Sequence, residues 1–441
     1  MKTYYIKTFG CQMNVADSNL MQAHFESLGM VQAKDLSDAD TVVVNTCTVR
    51  DHAEHTAMSY VGRLKPFKND NPNLKVILAG CAAQRVGENI KKRFPIIDLV
   101  VGAKNIENFK KEFNKICELD SCFRGNDNKR AGDDSRHGKN EGKNRGKGNV
   151  CDFVTIMRGC ENFCSYCIVP SVRGPELSRP FDEILSEIET RVKLGAKDIT
   201  LLGQNVNSYR GADKHGKKQD FASLLTKVNS VKGLDRIRFM TSHPKDLGQK
   251  LIKTIAGLEK VCEHIHLPLQ SGSDRILKAM NRNYKTSDYL KIIDTIRKEM
   301  PAAAITTDIM VGFPGETKKD FEKTLAVTDR ASYDFIFAFK YSPRPGTKAA
   351  ELKDSVSLKT KEGRHAILLE KLNKAAENLN RKLIGSAQEV LVEGAADGKY
   401  FGKTRTNKKV YFSSGRIKPG SLVKVKILQA KFNSLIGEKN A

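Results

Sequence analysis

The chain has 441 residues, enough for two or three domains, each with its own hydrophobic core. Its hydrophobic content of 39% and charged content of 29% are typical of a soluble globular protein, and no apolar run reaches the length of a membrane span, so no membrane partner is expected. Lys and Arg total 75 against 51 Asp and Glu, a net charge of +24. That excess favours a polyanionic partner, with nucleic acid the first candidate, although a basic surface can also serve solubility alone.

The cysteine content and the first residues predict a cytoplasmic location. The stretch Met1–Phe9 has no apolar signal core and reads as a strand. In a reducing compartment the ten cysteines stay available for metal binding.

Residues 1–119 alternate strand-like and helix-like stretches, the pattern of a parallel α/β domain. Three hydrophobic strands each run directly into a cysteine: Tyr4–Gly10 into Cys11, Thr41–Thr46 into Cys47 and Lys75–Gly80 into Cys81. The carboxyl ends of parallel strands share one edge of a sheet, so these cysteines are expected to converge as a three-cysteine cluster site. The alternative is three small buried hydrophobic residues, since free cysteine is often buried.

Residues 120–149 are almost devoid of apolar side chains, which predicts a flexible basic linker that cannot offset its ordering entropy. Cys122 in this stretch and the nearby Cys117 are expected to have no metal role.

A C-x3-C-x2-C run follows the linker, formed by Cys160, Cys164 and Cys167. Three such thiolates can hold three irons of a four-iron cubane and leave the fourth iron open. A zinc site would need a second ligand pair downstream, which is lacking, and a disulfide framework would suit a short secreted chain. The spacing resembles that of the radical S-adenosylmethionine enzymes, in which the open iron chelates S-adenosylmethionine.

Residues 150–374 alternate strands with amphipathic helices, which predicts six β/α units, an incomplete (βα)6 barrel related to the TIM barrel. The candidate strands are Phe153–Met157, Asp198–Leu202, Arg236–Met240, His264–Leu267, Ile305–Val311 and Phe335–Tyr341. The intervening helix Asp182–Leu194 spaces Ile184, Leu185, Ile188 and Val192 along one face. In such barrels the chemistry lies at the carboxyl ends of the strands, where the cysteine run begins.

Residues 375–441 change character and predict a small all-β barrel. Strand-like runs lie between turns that contain glycine: Gln388–Glu393, Lys409–Phe412 and Ser421–Leu428. The segment is strongly basic, which favours RNA binding, with Lys408 and Lys409 as candidate phosphate contacts. Of the aromatic residues Tyr400, Phe401, Tyr411 and Phe412, about half are expected in the core.

The motifs taken together resemble the methylthiotransferase family of radical S-adenosylmethionine enzymes over nearly the whole chain outside the linker. The matching motifs are Thr8–Asn14, Asn45–Arg50, Gly80–Gln84, Arg173–Arg179, Leu202–Asn207, Thr241–Pro244, Leu267–Ser273, Asp308–Glu316 and Tyr341–Thr347. By this resemblance the fold is α/β, and the C-terminal barrel corresponds to the family's TRAM domain, which is OB-like. The Gly-Cys-Gln-Met-Asn sequence around Cys11 resembles the branch that acts on N6-isopentenyladenosine.

The resemblance implies methylthiolation of position 2 of N6-isopentenyladenosine at position 37 of tRNA. The alternative within the family is action on threonylcarbamoyladenosine in tRNA or on a ribosomal protein. The implied cofactors are two [4Fe–4S] clusters, one on each cysteine triplet, and S-adenosylmethionine, used both as methyl donor and as radical source. The implied partners are tRNA and an electron donor that reduces the clusters, and a monomer is expected.

The resemblance also implies residue roles near S-adenosylmethionine. The candidate contacts are Gln204, Asn205, Ser242, Gln270, Gly312 and Glu316. A plain tight turn at Gly312–Glu316 is the alternative for the last two. Arg282 and Arg344 are candidates to face the substrate, and no side chain is assigned as catalytic.

Two other classes remain open from the residues alone. A different radical enzyme would not need the three cysteines at the strand ends, and a simple RNA-binding protein would leave all six idle. Iron content after anaerobic reconstitution separates these classes. A methylthiotransferase should bind about eight irons per chain, a different radical enzyme about four, and a simple RNA-binding protein none.

Overall fold

A computed structural model describes residues 2–48, 51–118 and 149–439. The chain forms two compact units, Met1–Lys147 with Ser171–Gly174, and Gly148–Pro170 with Pro175–Ala441. The predicted linker up to residue 148, Cys122 and the side chain of Cys117 lie outside the described residues. Within those residues no helix is long and apolar enough to cross a membrane.

The first unit is built on a five-stranded parallel sheet with strand order β2-β1-β3-β4-β5. The strands are β1 (Thr3–Thr8), β2 (Val31–Gln32), β3 (Thr41–Thr46), β4 (Lys75–Gly80) and β5 (Leu99–Gly102). The helices are α1 (Gln12–Ser27), α2 (Asp51–Arg63), α3 (Lys65–Asp70), α4 (Cys81–Val86), α5 (Ile90–Arg93) and α6 (Phe109–Glu118).

The central strands of this sheet are buried along their length. All six residues of β3 and the last five of β4 are buried, and their near-continuous runs of small and branched apolar residues are typical of a parallel sheet covered on both faces. The predicted strands β1, β3 and β4 are neighbours in the sheet, so their carboxyl ends lie side by side.

The second unit contains six parallel strands in sequence order, in two groups of three. They are β6 (Cys151–Thr155), β9 (Asp198–Leu202), β12 (Arg236–Met240), β13 (His264–His266), β14 (Ala304–Val311) and β15 (Phe335–Lys340). Strands β6, β9 and β12 pair in one group and β13, β14 and β15 in the other. A parallel bridge between Ile237 and Val261 lies between the groups. The predicted six β/α units are thus present.

Helices alternate with these strands. They are α7 (Val169–Arg173, whose end belongs to the first unit), α8 (Phe181–Lys193), α9 (Phe221–Asn229), α10 (Gln249–Gly257), α11 (Asp274–Ala279), α12 (Thr286–Glu299), α13 (Lys318–Ala331) and α14 (Leu358–Arg381). Short strand pairs are β7 (Met157–Arg158) with β8 (Leu177–Ser178), and β10 (Arg210–Ala212) with β11 (Lys218–Asp220). On α8, Ile184, Leu185 and Ile188 are buried as their helical spacing predicts, whereas Val192 is half-buried.

The C-terminal segment is a closed barrel with strand order β16-β17-β18-β20-β19, as predicted. Its strands are β16 (Ala387–Ala396), β17 (Lys399–Thr404), β18 (Lys409–Ser413), β19 (Leu422–Ala430) and β20 (Leu435–Lys439). The sequence pattern does not predict β17 and β20. The proposed boundary at residue 375 falls inside α14, which continues to Arg381.

Buried arginines connect this barrel to the β/α strands of the same unit. Arg238 donates to the backbone oxygens of Thr404 and Arg405 while pairing with Asp198 at 2.8 Å. Arg236 donates to the Lys403 backbone oxygen. Residues from the two parts therefore share one hydrogen-bond network, and they belong to one compact unit.

Candidate functional site

The cysteines at the strand ends of the first unit lie where parallel-strand geometry predicts. Cys11 directly precedes α1, Cys47 directly follows β3, and Cys81 opens α4 directly after β4. Cys47 and Cys81 are buried and Cys11 is half-buried. Adjacent parallel strands thus present three thiols at one sheet edge.

Two glycines allow the loops at this edge to approach closely. A Cβ on Gly10 would lie 2.5 Å from the Cβ of Cys47, and one on Gly80 would lie 2.4 Å from the Asn45 side-chain oxygen. Both glycines have positive φ, +136° and +96°, which a residue with a side chain rarely adopts. Each glycine directly precedes a cysteine, so the backbone shape at this edge depends on them.

Buried amides hold the same loops in place. The Asn14 side chain donates to the Asn45 side-chain oxygen at 3.1 Å and to the Thr46 backbone oxygen at 3.0 Å. Asn45 returns a hydrogen bond to the Asn14 backbone oxygen at 2.7 Å. Asn14 and Asn45 are fully buried, and satisfied buried networks of this kind rigidify their surroundings.

The thiols of this edge differ in acidity. A hydrogen bond from Cys47, aided by the nearby Arg173 charge and opposed by burial, lowers the pKa of Cys11 to about 6. Burial raises the pKa of Cys81, although Arg173 acts in the opposite direction. A bound metal would supply the positive charge that keeps such a buried thiol deprotonated.

The second cysteine run lies in the loop after β6 and β7, and backbone contacts fix its shape. Ser165 donates through its N–H to the Met280 oxygen at 3.0 Å and through its hydroxyl to the Ala279 oxygen at 2.9 Å. The Asn281 amide donates to the Phe163 oxygen at 2.8 Å. The loop carrying Cys160, Cys164 and Cys167 is therefore held against the end of α11.

Burial shapes the acidity of this second set as well. It raises the pKa of Cys167 to about 12, with the Cys164 charge acting in the same direction, and it raises the pKa of Cys160. Closely placed thiols of this kind ionise together only when a cation compensates them, as an iron–sulfur cluster does.

The structure places Arg282, a candidate to face the substrate, in a buried position. It donates to the Pro268 backbone oxygen and, at 2.8 Å, to the Tyr284 hydroxyl. Its Nη1 also lies 3.7 Å from the Cys164 sulfur. Arg282 thus contacts a predicted cluster ligand, while Arg344 is half-exposed.

The loops after β9 and β12 carry buried polar atoms that have no hydrogen-bond partner among the described residues. These atoms are Gln204 Oε1, Asn205 Oδ1, Asn207 Nδ2, Thr241 Oγ1 and His243 Nε2. Buried unsatisfied polar atoms are rare and often mark a place where a ligand binds. Their position at the carboxyl ends of barrel strands fits a polar ligand such as S-adenosylmethionine.

Individual contacts orient these loops. Asn205 donates to an Asp246 oxygen at 2.6 Å, and the Ser242 hydroxyl donates to the Asn207 side-chain oxygen at 3.2 Å. Burial, with the Arg282 and Lys245 charges, lowers the pKa of His243 to about 2, so its ring is neutral. Because His243 Nδ1 accepts from the Lys245 N–H, Nε2 carries the proton and is a free donor in a buried position.

The remaining predicted contacts follow later strands. Gln270 is buried in a left-handed conformation with φ 71°, bonded through its backbone to Asp308 and Met310. Such conformations in residues other than glycine concentrate at functional sites.

Glu316 stabilises the loop after β14. It lies before the start of α13, outside the first turn, and its carboxylate accepts from the Gly312 N–H at 2.7 Å and from Arg364 at 2.6 Å. The tight-turn alternative explains these contacts, while the unpartnered Glu316 Oε1 leaves room for a ligand contact.

Among the described residues, no three His, Cys, Asp or Glu side chains are placed to bind a single metal ion. The thiolates of a cubane each bind a different iron, so a cluster does not require that convergence. The donor sets present, two triplets of cysteine at loop ends, fit clusters of this kind.

The C-terminal barrel presents a basic aromatic surface. Phe412 is fully buried and Tyr400 stacks on it, whereas Phe401 and Tyr411 are half-exposed. Lys409 Nζ lies 4.7 Å from the Tyr411 ring centroid and 5.8 Å from that of Phe401. The expected division of the aromatics between core and surface is thus confirmed, and Lys409, Phe401 and Tyr411 define the aromatic face.

Lys408 is not a free phosphate contact. Its Nζ lies 2.6 Å from Asp334 and 2.9 Å from the Asn380 side-chain oxygen, and only 14% of its side chain is exposed. Lys408 lies just before β18, where its ammonium reaches Asp334 and Asn380, whereas Lys409 is the first residue of the strand and is exposed.

Sequence reasoning missed several residues that the structure places beside the candidate ligands. Asn14, Arg173 and His243 all lie within the motifs that carried the family resemblance, but spacing alone assigned them no contact. Asp17 had no local signal, because its role depends on a residue far away in the sequence.

Comparison with known proteins agrees with this organisation. Residues 3–102 match the uncharacterized protein family UPF0004, residues 154–327 match the radical SAM superfamily, and residues 381–439 match the TRAM domain. Over 435 residues the chain is 44% identical to a tRNA-2-methylthio-N(6)-dimethylallyladenosine synthase of Endomicrobium trichonymphae, covering 99% of both proteins. The chain belongs to this synthase family. It is also 44% identical to the synthase of Clostridium botulinum strain Hall, over 99% of this chain and 96% of that protein.

Solved structures share the fold. The chain resembles the radical S-adenosylmethionine methyltransferase TsrM of Kitasatospora setae, with TM-score 0.55 and 12% identity, over 79% of this chain and 74% of that one. It also resembles the cobalamin-dependent S-adenosylmethionine radical enzyme OxsB, with TM-score 0.50 and 11% identity, over 86% and 56% of the two chains. The predicted α/β fold class with a radical S-adenosylmethionine core and a TRAM barrel is thereby confirmed.

Proposed function

We propose that this protein is a radical S-adenosylmethionine methylthiotransferase that modifies position 2 of N6-isopentenyladenosine at position 37 of tRNA. The observation that carries the proposal is the pair of cysteine triplets, one at a parallel sheet edge and one in a barrel loop. The relatives bear the name of a dimethylallyladenosine synthase, which favours this substrate over threonylcarbamoyladenosine or a ribosomal protein.

The chemistry requires two cofactor sites. A side-chain base cannot remove the unactivated ring hydrogen of an adenine at a useful rate, so the hard step belongs to a cofactor. If bound, a reduced [4Fe–4S] cluster on Cys160, Cys164 and Cys167 would supply the electron for cleaving S-adenosylmethionine, and a cluster on Cys11, Cys47 and Cys81 would supply a site for the incoming sulfur.

The residues have separate tasks in this proposal. Cys160, Cys164 and Cys167 hold the cluster that binds S-adenosylmethionine, and Cys11, Cys47 and Cys81 hold the auxiliary cluster. Gln204 and Asn205 orient S-adenosylmethionine through side-chain oxygens that lack a protein partner, and the Ser242 hydroxyl, which donates to Asn207, lies in the neighbouring loop. Ser242, Gln270, Gly312 and Glu316 complete the proposed S-adenosylmethionine contacts.

The partners follow from the same chemistry. The net charge of +24 and the TRAM barrel support tRNA binding. We infer an electron donor that reduces the clusters, a monomeric enzyme and a cytoplasmic location.

The proposal is tested on cellular tRNA. Cells that lack this gene should accumulate N6-isopentenyladenosine without the 2-methylthio group, and the wild-type gene should restore it. Cys47→Ala and Cys164→Ala should each fail to restore it, while Cys151→Ala, in a cysteine outside both triplets, should restore it. Nucleoside mass spectrometry that finds the modification unchanged without the gene would refute the assignment.

A further inference from the structure

A buried arginine lies at the sheet edge that carries the three cysteines. Residues Ser171–Gly174 belong to the first compact unit, although they follow the barrel cysteines in sequence. Arg173 Nε donates to the Cys81 sulfur at 3.2 Å, and Nη2 pairs with Asp17 at 2.9 Å. The Arg173 side chain is 4% exposed and that of Asp17 is fully buried.

The hydrogen bonding of this guanidinium is incomplete. Nη1 of Arg173 is buried and has no partner among the described residues. Leaving a charged donor unsatisfied away from water is costly, so such an atom requires an explanation. The neighbouring thiols, which the proposed function assigns to the auxiliary cluster, give one, because cluster sulfur atoms accept hydrogen bonds.

We propose that Arg173 is a positioning residue that tunes the auxiliary cluster, donating hydrogen bonds to its sulfur atoms and raising its reduction potential. The inference rests on the proposed function, since it needs a cluster on Cys11, Cys47 and Cys81. Net charge and hydrogen bonds to sulfur are among the factors that set the potential of an iron–sulfur cluster. A buried positive charge stabilises the reduced, more negative cluster, and the neighbouring Asp17 carboxylate limits that effect while holding the guanidinium in place.

Removing each of the two charges should therefore shift the reduction potential of the cluster in opposite directions. Arg173→Gln removes the positive charge and should make the cluster harder to reduce. Asp17→Asn removes the negative charge and should make it easier to reduce. A purely structural ion pair would instead give two variants that change stability together and leave the potential unchanged.

The experiment uses the full chain with Cys160, Cys164 and Cys167 all changed to Ala, so that only the auxiliary cluster is reconstituted. This parent should bind about four irons per chain. At a fixed applied potential, Arg173→Gln should lower the ratio of reduced to oxidised cluster about tenfold, which is about 59 mV for a one-electron couple. Asp17→Asn should raise this ratio above that of the parent. Arg173→Lys, which keeps the positive charge, should give a ratio close to that of the parent. Electron paramagnetic resonance during a redox titration measures the ratio.

A matched control is Arg238→Gln, which removes an equally buried, ion-paired arginine from the second unit. It should destabilise the protein and leave the ratio unchanged. Equal ratios in the parent and in Arg173→Gln would overturn the inference, as would shifts of the same sign for Arg173→Gln and Asp17→Asn. If Arg173→Gln assembles no cluster, the sign for Asp17→Asn decides. A parent that binds no iron would overturn the auxiliary cluster itself, and the inference with it. If the parent binds iron but Arg173→Gln and Asp17→Asn leave the reduction potential of its cluster unchanged, only the inference fails and the proposed function stands.

Discussion

Two neighbouring lysines of the TRAM barrel should differ in their effect on tRNA binding. Lys409 is exposed and lies over the Tyr411 and Phe401 rings, whereas the ammonium of Lys408 is held by Asp334 and Asn380. We expect Lys409→Gln to remove one phosphate contact and Lys408→Gln to remove none. The two variants carry the same change of charge, so each controls for the other.

The size of the effect follows from counterion release. Each neutralised phosphate contributes about 0.7 to 0.9 to the slope of log Kd against log salt concentration. If the contact contributes nothing near 1 M salt, losing it weakens binding about four- to sixfold at 0.15 M. Lys409→Gln should therefore lower the slope by about one contact, while Lys408→Gln should keep the slope and lower thermal stability.

Filter binding of tRNA across a salt series, with thermal unfolding of the same preparations, measures both quantities. Tyr411→Ala should add a loss that depends little on salt, since stacking on a base contributes about 1–3 kcal/mol. Equal slopes for Lys408→Gln and Lys409→Gln would refute the reasoning. Deleting the barrel from residue 375 is a poorer test, because it cuts α14 and removes the partners of the buried Arg236 and Arg238.

Three further outcomes are expected. Cys164→Ala should abolish 5'-deoxyadenosine formation under reducing conditions, because a cubane with two thiolates is not retained, and a normal yield would contradict the assignment. Cys47→Ala should still cleave S-adenosylmethionine, with iron falling from about eight to about four per chain, but should yield no methylthiolated tRNA; product at the wild-type rate would exclude the sheet-edge cluster. Arg238→Met should cost about 3–5 kcal/mol of unfolding free energy, since it leaves Asp198 buried and unpaired, whereas Arg330→Met, in an exposed pair, should cost about 0–1 kcal/mol. Chemical denaturation measures both, and equal losses would argue against the buried network.

Local pattern was sufficient for much of this molecule. The strands Thr41–Thr46, Lys75–Gly80, Asp198–Leu202 and Arg236–Met240 were predicted with the bounds that the structure has, because a short apolar run bounded by turn residues carries its own signal. The expectation that three cysteines share a sheet edge also came from sequence, since parallel strands in neighbouring positions must end together. Strands β17 and β20 were missed because they contain few apolar residues, and their pairing in the closed barrel is not visible in the local sequence.

Contacts between distant residues required the tertiary structure. The sequence could propose Lys408 and Lys409 as equivalent phosphate contacts, but only the folded chain shows that Lys408 is paired with Asp334. In the same way Arg173 and Asp17, 156 positions apart, become a buried pair beside Cys81 only after folding. The burial of a charged side chain and the groups that it pairs with decide whether it binds a ligand, stabilises the fold or tunes a cofactor. Both are properties of the folded chain and not of any local stretch of sequence.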